Sequence, residues 1–123
     1  MSALEPKIYT LLAADNPVKG LVGTRIYPMI LPQDPVLPAI TYQRISGGQV
    51  NSMAGYGGLE NPRVQIDVMA STYAGCKTLA GYVFTAMEGS TTFQAVMISD
   101  QDIHEPELEC FRISMDFSVW HKT

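Results

Sequence analysis

The sequence predicts an α+β fold: a single sheet, mostly antiparallel or mixed, of four to five strands with two helices packed on one face. Three observations carry this. From Arg63 to Ala70 apolar and polar residues alternate, the period of a strand with one buried face. Val64, Ile66 and Val68 share one side, and Arg63, Gln65 and Asp67 the other. From Tyr73 the period changes, with Tyr73, Cys76, Ala80, Val83 and Met87 recurring at helical spacing. A hydroxyl at Ser71 or Thr72 suits the N-cap, and Gly89 suits a left-handed C-terminal stop. Near the C-terminus, Phe111, Ile113, Met115, Phe117 and Val119 alternate with Arg112, Ser114, Asp116, Ser118 and Trp120. A helix fed directly by a half-buried strand hides its stripe against that strand's apolar face. The strands from Arg63 and from Cys110 are expected at the centre of the sheet, because their apolar faces are the most complete.

The remaining elements follow in order. Leu4, Ile8, Leu11 and Leu12 mark a helix from Ala3 to Ala14, with Ser2 as a cap and Pro6 in the first turn. Asp15-Asn16-Pro17 ends it. Val18 to Val22 suits either a short helix or a packed loop. Arg25 to Pro28 is a short extended piece. Pro32, Pro35 and Pro38 then make a stiff connector, a better reading than a ligand for aromatic grooves. Leu37 to Ser46 is a strand rich in β-branched and aromatic residues. Thr91 to Ser99 is another, and Asp100 to Glu107 reads as an acidic turn.

Between these strands, residues 47–62 hold Gly47, Gly48, Gly55, Gly57 and Gly58. The expectation is one domain over 1–123 with a flexible glycine-rich hairpin loop at 47–62. The glycines match no phosphate-binding pattern, since neither G-x-G-x-x-G nor G-x-x-x-x-G-K-[ST] occurs. The apolar residues of the loop, Val50, Met53, Tyr56 and Leu59, need a surface to cover them. With Trp120, which falls on the polar parity of the last strand, they are the candidate subunit-interface residues. Trp120 alone serves equally as a cover for the sheet edge.

Composition narrows the function. With 46% apolar residues in 123, wholesale disorder is excluded. No apolar run reaches the roughly 18 residues of a membrane span, and the N-terminus carries no secretory signal pattern. The formal charge of −4, with eight dispersed basic residues, disfavours a phosphate-gripping surface. Cys76 and Cys110 form no disulfide framework, and Cys76 reads as a small hydrophobe on the helix stripe. His104 sits in the acidic turn with Asp102, Glu105 and Glu107, a grouping too generic for zinc or calcium. His121 lies in a fraying end. Asp67 and Asp116 pair only if their strands are neighbours. No catalytic, cofactor-binding or metal residue is therefore assigned, and no cofactor is expected.

The pieces R-I-Y-P at Arg25–Pro28, L-P-A-I-T-Y at Leu37–Tyr42 and R-V-Q-I-D-V at Arg63–Val68, with Tyr73 after it, occur in a telling order. That order, over nearly the whole chain, resembles the tail-completion proteins of long-tailed bacteriophages and prophages, the head–tail joining or tail-terminator group. The resemblance implies a non-enzymatic virion protein, made in the host cytoplasm and resident in the virion tail. It implies a hexameric ring of copies that caps the tail-tube protein and docks the head-completion or connector protein. DNA would pass through the lumen without specific binding, which the acidic balance suits. The alternatives are a small α+β enzyme or ligand-binding domain, or a tail-tube or baseplate subunit.

Overall fold

The computed structural model describes residues 4–46, 59–107 and 109–122. Leu4–Ala14 forms α1, and its Leu4, Ile8 and Leu12 are fully buried, as their spacing requires. Ser2, the expected cap, lies outside the described residues. Asn16–Val22 forms α2, a third helix at the place where helix and packed loop suited the residues equally well. Asp15 separates the two helices and caps the second, its carboxylate accepting from the Val18 N–H at 3.2 Å. Pro17 sits in the first turn of α2, where its missing N–H removes no bond. Asp15-Asn16-Pro17 thus ends one helix and starts another.

Four strands precede the central helix, the first three being β1 (Ile26–Pro28), β2 (Ala39–Ser46) and, after residues 47–58, the two-residue β3 (Leu59–Glu60). Next come β4 (Arg63–Ala70), α3 (Tyr73–Glu88), β5 (Gln94–Glu105) and β6 (Cys110–Lys122). The main sheet runs β1-β2-β4-β6-β5, mixed because β1 is parallel to β2 while the other pairs are antiparallel. The strands that begin at Arg63 and Cys110 are therefore central, as their apolar faces predict.

β3 pairs with the end of β6 on the same side as β4 and in the same register, Glu60 opposite His121 and Arg63 opposite Ser118. The two are one ladder interrupted at Asn61-Pro62. The Val119 N–H donates to the Pro62 carbonyl at 3.0 Å, but proline has no N–H to return. The Asn61 side-chain amide makes up the deficit, donating to the Val119 carbonyl at 3.0 Å and to Ser118 Oγ at 2.9 Å. The stretch 47–62 expected to be a loop thus contains the strand β3 at Leu59–Glu60. Residues 47–58, with Val50, Met53 and Tyr56, lie outside the described residues.

All three helices share one face of the sheet. Their stripes meet Ile40, Val64, Ile66, Val68, Ile113, Met115, Phe117 and Val119 in a continuous core. Thr72 caps α3, accepting from the Gly75 N–H at 3.0 Å. A Cβ at Gly75 would stand 2.9 Å from that same hydroxyl, so the cap itself calls for glycine. Two details of α3 differ from expectation. Gly89 ends the helix at φ −86°, not in the left-handed region, its N–H turning back to the Thr85 carbonyl. Tyr73 leaves the buried stripe: it is exposed, its hydroxyl donating to Asp102 and its ring edge-on to Phe111 at 5.9 Å. Leu79 takes its place in the core.

The largest difference is in β5. The stretch expected to be an acidic turn, from Asp100 on, continues the strand to Glu105. A bulge between Met97 and Ser99 shifts the register by one residue. Before it, Ala95 and Met97 oppose Val119 and Phe117 on the helix side. After it, Asp100 and Asp102 take that side, and Ile103 and Glu105 the other. Periodicity broken in this way is unreadable as one strand. The turn itself is Pro106 to Glu109, closed by the Glu109 N–H on the Pro106 carbonyl.

Phe117 is fully buried where the two central strands meet the helices. Phe117→Ala is expected to cost about 3–5 kcal/mol in equilibrium unfolding. A cost below about 1 kcal/mol would place the ring at the periphery instead of the core.

Candidate subunit interface

The helix-free face of the sheet carries a row of ion pairs built by the alternation of β4 and β6. Arg112 lies between two carboxylates, with Nη1 3.2 Å from Asp67 and Nη2 2.9 Å from Glu105. Asp67 is almost fully buried, and Gln65 also donates to it at 3.0 Å, so its charge is compensated on both oxygens. Arg63 pairs with Asp116 at 3.0 Å. Asp67 and Asp116 do lie on neighbouring strands, yet each is bound to its own arginine. The register sets Asp116 opposite Gln65 and Asp67 opposite Ser114.

His121 is buried, and the frayed end expected there is instead the end of β6. Its Nδ1 is 3.3 Å from Lys7 Nζ, and its Nε2 is 3.0 Å from Glu60 Oε1. An ammonium can only donate, so Nδ1 is the acceptor and the ring proton belongs on Nε2, toward Glu60. That contact is close but off the hydrogen-bond direction, which makes it an electrostatic attraction more than a formed bond. The group ties α1, β3 and β6 together at the end of the sheet where residues 47–58 leave and return. Sequence patterning misses it because Glu60 and His121 belong to no recurrent spacing.

Cys76 and Cys110 are free and buried. Burial pushes the Cys76 thiol up to about 11 despite backbone contacts that oppose the shift, and Cys110 is raised for the same reason. The Cys76 Sγ lies 3.4 Å from the carbonyls of Val68 and Phe111, a small hydrophobe with a satisfied S–H. Among the described residues no group of histidine, cysteine or carboxylate side chains is arranged to hold a metal ion. His104 contacts the Phe111 ring at 5.1 Å instead of gathering the nearby carboxylates. Two open troughs mark the surface. One of about 540 Å³ lies between α1 and Ser90–Thr92, and one of about 340 Å³ lies between α3 and β5. Among the described residues no helix is long and apolar enough to cross a membrane.

What remains unsatisfied is the rim of the sheet. β5 is an edge strand of 12 residues that pairs only with β6 among the described residues. Val96 and Ile98 on it are 52% and 50% exposed. Trp120 of β6, 41% exposed, stands opposite Gln94 on the helix-free face, one pair away from Val96. Of the candidate interface residues, the structure therefore sets Trp120 in an exposed apolar patch with two residues that sequence patterning missed. Leu59 is in β3. The other edge of the sheet is β1, with Met29, Ile30 and Val36 of the adjoining connector still more exposed. Scattered exposed apolar side chains are ordinary, but clusters along both rims of a sheet mark contact surfaces.

Comparison with known proteins adds to this geometry. The family model for tail completion protein gp17 matches residues 6–122. A chain in the virion of a native gene transfer agent (GTA) particle superposes with a TM-score of 0.71 and 19% identity, over 94% of this chain and 92% of its own. At that identity the likeness is one of fold. A crystal structure from Akkermansia muciniphila overlaps 68% of this chain and 42% of its own, at 10% identity and a TM-score of 0.43. Among curated proteins none matches in sequence.

The Cys76 thiol sets a pH dependence. Below pH 9 the thiol is neutral folded and unfolded, and its contribution to stability is complete. Between pH 9 and about 11 the unfolded thiol ionises while the folded one keeps its proton, so stability falls as pH rises. Unfolding midpoints measured across this range should drop less steeply in Cys76→Ala than in the parent. Identical alkaline limbs would show that Cys76 is not held neutral by burial.

Proposed function

Because the chain belongs to the tail completion protein gp17 family, we propose that it is a non-enzymatic structural subunit that assembles as a hexameric ring. The ring closes the tail tube of a long-tailed phage or phage-like particle and joins it to the head connector. The match over residues 6–122 carries this reading. The shared fold with a chain of a gene transfer agent virion supports it.

The physical features are those an assembling subunit needs. The core is closed by three helices on one face, while both rims keep exposed apolar side chains among the described residues. Val50, Met53 and Tyr56, with Leu59 and Trp120, supply contacts between copies in this proposal. Ser46 and Leu59, which flank residues 47–58 in the sequence, lie at the end of the sheet that holds Trp120 and Val96. The net charge of −4 suits a lumen through which DNA slides without adhering. Assembly takes place in the host cytoplasm and the finished subunit resides in the virion tail.

Two variants test this together: a chain with residues 50–57 replaced by a tight turn, which spares β3, and Trp120→Ala. Both should keep thermal stability within about 1 kcal/mol of the parent, the range of surface changes, while ring formation and tail joining fail. Electron microscopy of tails assembled with each variant reads the outcome. Normal tails from both would overturn the assignment of these residues to the assembly surface.

A further inference from the structure

The trough of about 340 Å³ between α3 and β5 lies where the bulge at Met97–Ser99 changes what the strand offers the helix. Before the bulge Met97 packs against the core. Beyond it Asp100 and Asp102 take the helix side and stay exposed. Ala80, Gly81 and Phe84 of α3 form one wall and Met97 the other, with Ile113 and Met115 of β6 at the base. Gly81 stands in the interior of a 16-residue helix, where glycine is among the least favourable residues. Packing does not call for it, since a Cβ there would meet nothing within 4 Å. What the missing side chain does is keep the trough open. The rim is charged and unbalanced. Lys77 Nζ is 3.8 Å from Asp102, which also accepts from the Tyr73 hydroxyl, and Asp100 adds to the negative field at the same ammonium. Glu88, exposed, lies one turn beyond Phe84 on the same row of the helix. Neither Asp100 nor Glu88 forms an ion pair among the described residues. Three carboxylates therefore stand against one ammonium.

We propose that this trough docks a segment of another protein, one that inserts an aromatic side chain and carries a lysine or arginine beside it. The ring replaces water on the apolar walls, against Phe84 and the thioethers of Met97 and Met115. The adjoining cation meets Asp100 and Glu88, which supplies the charge that the rim lacks. From Lys77 to Phe84 the trough follows α3 for about 10 Å at the helical rise per residue. Open along that length, it holds a side chain borne on a polypeptide but does not enclose a free small ligand, whose sites bury most of its surface. A basic segment also complements the acidic chain, whereas a second copy brings the same net charge of −4 and is repelled. Docking here needs only the single subunit and is independent of ring formation. Its ionic part weakens as salt rises.

Two blocked peptides probe the trough on the full chain by amide NMR titration: acetyl-Gly-Trp-Lys-Gly-amide and its counterpart with glutamate in place of lysine. The lysine peptide should shift the amides of Lys77 to Phe84 and of Met97 to Asp100. It should bind roughly two- to fivefold more tightly than the glutamate peptide, the range of an exposed charge pair. Asp100→Asn should shrink that preference. Gly81→Leu, which places a side chain in open space within the trough, should abolish the shifts for both peptides while the melting temperature stays at or above that of the parent. Absence of shifts at these amides with the lysine peptide would overturn the proposal. So would equal affinity for the two peptides, or shifts that persist in Gly81→Leu. Shifts of the same amides that grow with protein concentration alone would overturn it in favour of a second copy as the occupant.

Discussion

β6 is hydrogen-bonded on both edges for most of its length, and the rest of the molecule is arranged by that pairing. On one side it holds β4 and, past the Asn61-Pro62 break, β3. On the other it holds all of β5. Its inward row, Ile113, Met115, Phe117 and Val119, forms the floor on which α3 lies, and its outward row carries Arg112 and Asp116 into the ion pairs of the open face. Two accommodations keep this strand continuous. The Asn61 amide replaces the donor that Pro62 lacks, and the bulge in β5 lets twelve residues follow β6, with Asp100 and Asp102 on the helix side yet exposed. At its last turn of pairing, His121 between Lys7 and Glu60 fastens the end of β6 to α1 and β3. A charged group buried without partners is costly, so this corner is held by all three residues together.

A sheet organised about one central strand has two rims, and here they are unlike. The β1 rim is short and proline-bounded. The β5 rim is long, half apolar and half acidic. Natural edge strands are guarded against indiscriminate pairing by bulges, charges and proline. This chain uses all three, and leaves unguarded only the stretch from Gln94 to Ile98. An edge guarded everywhere except at one register restricts association to one partner geometry.

Much of the fold was legible because its main elements obey a single period from end to end. The alternation in Arg63–Val68 and Phe111–Val119 and the stripe from Cys76 to Met87 each bury one face, and each is buried as its parity indicates. Elements governed by something other than period were not legible. β5 changes faces at a bulge, so its second half shows acids where a strand would show apolar residues. α2 is seven residues long, too short for periodicity to distinguish it from a packed loop. β3 is two residues, set by register to β6. Gly89 suits a left-handed stop by residue type, but the helix closes with φ −86° there. At the candidate interface Trp120 stands out in the sequence as a large aromatic on the polar side. Val96 and Ile98 read only as members of a strand, and the position of β5 at the edge shows that each is about half exposed.

Amide hydrogen exchange, measured on the free chain and on assembled tails, tests the central claim most directly: one two-sided strand builds the fold and leaves the β5 rim for a neighbour. Amides of β6 from Ile113 to Val119 should exchange slowest and equally in both states, because their bonds are internal to the subunit. Amides of Gln94–Ile98 that point away from β6 should exchange rapidly in the free chain and become protected on assembly. Slow exchange of those β5 amides in the free chain, or no gain in protection in the tail, would contradict the account.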